Sequence, residues 1–92
     1  MLDFTAARAL ALRLIAERQS ETTGPLLLLE QQVVTFEEGW LFPYQSAWYA
    51  EGGDEDAALS GHGPLFIRRT GRWFEVPAYY ESGEFLARLG IR

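Results

Sequence analysis

The stretch Glu38-Gly39-Trp40-Leu41-Phe42-Pro43-Tyr44-Gln45-Ser46 constrains this chain more than any other. Trp40, Phe42 and Tyr44 occupy alternate positions directly after a glycine. Successive strand residues point to opposite faces, so an extended backbone puts all three rings on one side of a sheet. A helix would scatter them around its axis, and Pro43 would break it. Fully burying each large side chain is worth roughly 1.5–3 kcal/mol. The other apolar segments are read as pieces that extend or cover this aromatic slab.

Asp3 to about Gln19 reads as an amphipathic helix, because Phe4, Ala7, Leu10, Ala11, Leu14 and Ile15 recur at three- and four-residue spacing. Asp3 or Thr5 is placed to cap its first turn, and Arg18 lies near the negative end of its dipole. The breaker run Ser20 to Pro25 ends it. Leu26 to about Phe36 is expected as one strand. Glu37-Glu38-Gly39 then turns into the aromatic strand, Trp40 to about Ser46, as its antiparallel neighbour. Pro43 cannot donate to a ladder and should face an edge, a bulge or solvent. Leu65–Arg69 and Arg72–Pro77 read as a hairpin. With Thr70-Gly71 as a two-residue turn, Ile67 faces Phe74, Leu65 faces Val76, and Arg68 lies beside Trp73 in a cation–π pair. A short last helix follows Tyr79-Tyr80-Glu81, with Ser82 as cap, Phe85, Leu86 and Leu89 as apolar side and Gly90 as stop. This order predicts an α+β fold: an N-terminal amphipathic helix packed on a four-stranded antiparallel sheet, with a short C-terminal helix. The chain of 92 residues shows no repeat or linker and reads as one domain, 1–92.

Chemistry is sparse. Eight arginines and no lysine stand against 13 acids, a net charge of −5, which argues against nucleic acid as partner. The longest apolar run, Pro25 to Leu29, is far short of the ~20 residues that cross a bilayer, so no membrane association is expected. The absence of a basic start with an apolar stretch, and of cysteine, suits the cytoplasm and excludes thiolate and disulfide chemistry. Ser60 and the lone His62 lack a third group to orient them as a nucleophile and base, and read as loop residues. Glu30, Glu37, Glu38 and Glu75 lie on or beside strands and read as solvated surface acids rather than a catalytic pair. Ala47 to Gly63 is a long connection opening with Trp48-Tyr49. Its middle carries Glu51, Asp54, Glu55 and Asp56, expected as an exposed, mobile acidic loop. The spacing of these acids does not match a calcium loop, and no metal or cofactor is expected.

Glu38 to Ser46, then Leu59-Ser60-Gly61-His62-Gly63-Pro64-Leu65-Phe66-Ile67, then Thr70-Gly71, resemble the immunity protein 35 family of bacteria. Members show a Gly-Trp-hydrophobic-Phe strand followed by Tyr or Phe and Ser, then a Leu-x-Gly-Asn-Gly-Pro loop; here His62 stands at the Asn position. The resemblance spans nearly the whole chain. It implies an immunity protein of a polymorphic toxin system, which binds a cognate toxin and blocks it, and it carries over no catalytic residues. Gly39, Trp40, Phe42, Tyr44, Gly61, Gly63 and Pro64 match the motif. Each has a structural reading: rings in the core, glycines in tight turns, a proline opening a strand. Toxin contacts are expected instead on Trp48, Tyr49, Glu51, Asp54, Glu55 and Asp56, with Glu37 and Glu38 as a second patch. Opposite charge there would favour a toxin with a basic surface. Two other readings remain open: a small intracellular chaperone-like module, and a carboxylate-based enzyme.

Overall fold

In the computed structural model, residues 1–58 and 62–92 are described. Helix α1 runs Phe4–Glu17 and is capped by Asp3, whose carboxylate accepts the Ala6 N–H at 2.8 Å. Ala7, Ala11, Leu14 and Ile15 form its buried stripe. Strands β1 (Leu26–Leu28) and β2 (Val34–Thr35) follow, then β3 (Gly39–Phe42) and β4 (Tyr44–Ser46). Helix α2 spans Ala47–Gly52; β5 (Leu65–Arg68), β6 (Trp73–Glu75) and α3 (Ser82–Arg88) complete the chain. The α+β class and both flanking helices are as the sequence predicts.

Each of the two long strands expected from sequence is broken. A 3-10 turn at Glu30–Gln32 separates β1 from β2, and Pro43 separates β3 from β4. The breaks lie side by side, since the Leu29 N–H donates to Pro43 O at 2.9 Å. Pro43 has no N–H to give a ladder. Opposite it, Glu30, Gln31 and Gln32 are exposed, so burial offers them nothing for staying extended. The antiparallel ribbon therefore divides: β1 pairs with β4, and β2 joins a four-stranded sheet of order β2-β3-β5-β6.

Both faces of that sheet are covered. Trp40, Phe42 and Tyr44 pack with Leu65, Ile67 and the α1 stripe on one side. Leu41, Phe66, Val76, Leu86 and Ile91 form a second core on the other, beneath α3. The β5–β6 register is one residue off the two-residue hairpin. Phe66 faces Phe74, Ile67 faces Trp73 and Leu65 faces Glu75. The turn is a three-residue loop closed by Arg68 N–H to Arg72 O (2.7 Å), with Gly71 at φ +96°. β-branched Thr70 resists the positive φ that a two-residue turn demands, and Gly71 takes it instead. Arg68 consequently lies over Phe74 rather than Trp73, which is covered by Arg18 at 5.4 Å.

Glu81, not Ser82, caps α3, its carboxylate accepting the N–H groups of Gly83 and Glu84. A carboxylate spans two donors at the positive helix end, where a hydroxyl can serve only one well. Leu86 carries the burial on this helix while Leu89 is half exposed.

Candidate functional site

The aromatic slab is core, not pocket lining: Trp40, Phe42 and Tyr44 are 3%, 0% and 5% exposed. Tyr44 has one polar task. Its hydroxyl donates to Glu75 Oε1 at 3.0 Å, and Arg18 Nε lies 3.8 Å from the same oxygen. Arg18 also donates to Leu14 O, so this group ties the end of α1 to β4 and β6. Burial first, then the Glu75 charge and hydrogen bond, push the Tyr44 hydroxyl from 10.0 to about 12. The folded state therefore holds this proton more tightly than the unfolded chain. The resulting stability is complete below pH 10 and is lost as pH rises through about 12. Urea titrations between those values should show a stability decline that Tyr44→Phe removes, at a cost of about 0.5–1.5 kcal/mol at neutral pH for the lost hydrogen bond. A Tyr44→Phe protein retaining the full alkaline decline would disprove the assignment.

The motif residues after the long connection are also structural. His62 Nε2–H donates to Tyr44 O at 3.0 Å, and its ring lies 4.7 Å from the Tyr44 ring. Pro64 precedes β5, and its carbonyl accepts the Val76 N–H at 2.9 Å. Gly39 and Gly63 do not serve through positive φ, as tight-turn glycines would. A Cβ on Gly39 would strike Ile67 O, and one on Gly63 would strike Val76 O. Close backbone approach is their reason. Gly61, with Leu59 and Ser60, lies outside the described residues.

The exposed acids fall into two groups of different character. Glu37 and Glu38 occupy the β2–β3 turn, where one arginine pairs with the Glu38 carboxylate and another binds the Glu37 backbone. Glu38 pairs with Arg68 at 3.2 Å, and Arg69 Nε donates to the Glu37 carbonyl at 2.7 Å. Arg69 also lies over the Trp40 ring at 4.4 Å, which locks this turn against β5. The second group sits at the far end of the β3–β4 ribbon. There the connection begins as a helix rather than a loop, because Ala47 N–H is held by Pro25 O at 2.9 Å and α2 follows without a break. Trp48 and Tyr49 on α2 are 49% and 39% exposed. The Trp48 ring lies on Gly24, which has no side chain to obstruct it, so one side of the indole is packed and the rest is open. Glu51, on α2, and Asp54, Glu55 and Asp56, at the 3-10 turn Glu55–Ala57, are all exposed. None of these four has an ion pair among the described residues. No group of three or more metal-ligating side chains converges among those residues either.

Two surface features are not apparent from sequence. A shallow concavity lies between the Glu30–Gln32 turn and α2, lined by Leu27, Leu29, Gln31, Gln32 and Ala50. The run Leu26-Leu27-Leu28-Leu29 carries no periodicity, so only the β1–β4 register reveals that Leu28 is buried while Leu27 is partly open. On the α3 side, Tyr79 is 84% exposed and lies tilted against Tyr80, itself next to Phe85.

A helix, a twice-covered antiparallel sheet, and an exposed acidic, aromatic helical surface define an α+β protein. The profile of the immunity protein 35 family matches residues 5–87, and the chain belongs to that family. It is therefore an immunity protein of a toxin system, with a toxin as partner. Comparison with curated proteins and with solved structures found no match. Among the described residues, no helix is long and apolar enough to cross a membrane.

Proposed function

We propose that this protein neutralises one cognate toxin in the cytoplasm by stoichiometric binding, through α2 and the acids that follow it, and not by catalysis. The observation that carries this reading is electrostatic. From Gln19 to Ile67 the chain contains no Lys or Arg, and the acids beside Trp48 and Tyr49 are free of ion pairs among the described residues. Uncompensated acids beside half-exposed rings suit a basic toxin surface: the charges accelerate and orient encounter, and the rings supply desolvated contact area. At the β2–β3 turn Arg68 compensates Glu38, which makes that turn less suited to the task.

Charge reversal at Glu51, Asp54 and Glu55 together is expected to weaken binding of the cognate toxin domain by roughly tenfold to a hundredfold. Most of the change should lie in the association rate and its salt dependence. The three side chains are exposed and in no ion pair among the described residues, but the Asp54 carboxylate accepts the Asp56 N–H at 3.1 Å, so melting temperature should fall by no more than the loss of that cap. Wild-type affinity in the triple variant would remove the acidic surface from the interface. The chaperone-like alternative has one observation in its favour, the open Tyr79 and Leu89 side chains near α3. Suppressed aggregation of unrelated unfolded proteins would support it; one tight partner would support neutralisation.

A further inference from the structure

The concavity beside α2 has a volume of about 250 Å³. Drug-sized ligands and cofactors occupy roughly 300–1,000 Å³. This depression is smaller and suits a side chain instead. Its lining combines apolar Leu27, Leu28, Leu29 and Ala50 with polar Glu30, Gln31 and Gln32. Unpaired charge adjoins its α2 edge in sequence. Ala50 adjoins Glu51 in α2, and Asp54, Glu55 and Asp56 follow directly. The rim acid Glu30 is paired with Arg8 from α1, the single cation that the described ion pairs bring to this rim. An apolar socket whose α2 edge leads along the chain into unpaired carboxylates is matched by an apolar side chain with positive charge next to it.

We infer that this socket receives one apolar side chain of the toxin, a Leu, Ile, Met or Phe flanked by Arg or Lys. The acidic residues hold those flanking cations. This rests on the neutralisation reading and refines it, dividing the surface into an anchor site and a charged rim. Interfaces draw most of their energy from a few side chains in desolvated pockets, while rim charges act chiefly on encounter. Anchor and rim should therefore respond differently to mutation.

Ala50→Trp fills the socket from an exposed helical position, and Gln31→Arg sets a like charge at its rim. Each variant is checked for an unchanged melting temperature, and binding of the cognate toxin domain, identified by growth rescue on co-expression, is followed by surface plasmon resonance. A loss of tenfold or more in either folded variant, mainly through faster dissociation, is the expected result. Wild-type affinity in both would overturn the socket. If the triple acidic variant still bound weakly in that case, the neutralising surface would stand without it. No binding by the wild-type protein would reject the neutralisation reading and the socket together. Concentration-dependent dimers of this chain alone, abolished by Ala50→Trp, would assign the socket to a second copy and overturn the proposal.

Discussion

Gly63→Ala is expected to destabilise the protein by about 3 kcal/mol or more, at the upper end of overpacking costs. For a domain of this size that lowers the melting temperature by roughly 12–24 °C. The added Cβ would meet the carbonyl oxygen of Val76, a backbone atom that cannot rotate aside. Relief requires Gly63 and Val76 to separate. That strains the hydrogen bond from Val76 N–H to the adjacent Pro64 O and the fully buried Val76 side chain. Gly52→Ala provides the contrast. Gly52 closes α2, its φ is not positive, and a Cβ there meets nothing within 4 Å. That change should be neutral or stabilising by about 0.4–1 kcal/mol, through a less flexible unfolded chain. Thermal melts of the two variants decide the matter. Equal midpoints would mean that close approach is not why Gly63 occupies its position.

Phe66→Ala is expected to cost about 3–5 kcal/mol in urea unfolding, within the range for buried aromatic truncations. Typical stabilities are about 5–15 kcal/mol, so the loss is a large part of the whole. Phe66 is 0% exposed, with Phe36 at 5.6 Å and Phe74 at 5.5 Å between ring centroids and Leu86 in the same cluster. Phe42→Ala, on the opposite face, should cost a comparable amount. The comparison tests the architecture directly. Were only one face of the sheet covered, Phe66 would lie on the open side and its truncation would change stability by no more than about 0.5 kcal/mol. A small Phe66→Ala effect beside a large Phe42→Ala effect would contradict the second core.

The candidate surface was only partly legible in advance. Glu51 to Asp56 read as exposed acids because no apolar pattern interrupts them, and the exposure agrees. Their separation in character from Glu37 and Glu38 was not readable. It depends on Arg68, thirty residues from Glu38, arriving beside it when β5 pairs with β3. The socket was hidden for a similar reason. Ala50 and Leu27 become neighbours only because β4 pairs with β1 and leads without a gap into α2.

Local rules were enough for the start of α1, where Asp3 caps a three-four apolar stripe, and for the shared face of Trp40, Phe42 and Tyr44. Both follow from backbone geometry over a few residues. They sufficed as well for the end of α3, where Gly90 takes a φ of +77° that other residues resist. Tertiary contacts decided the rest: the joint break at Glu30 and Pro43, the bulged turn at Gly71, the second core under α3, and the ion pairs that leave one acidic surface free. A hydrogen-bond ladder rewards or penalises a residue according to what lies across from it. That partner is distant in sequence, so neither periodicity nor composition could name it.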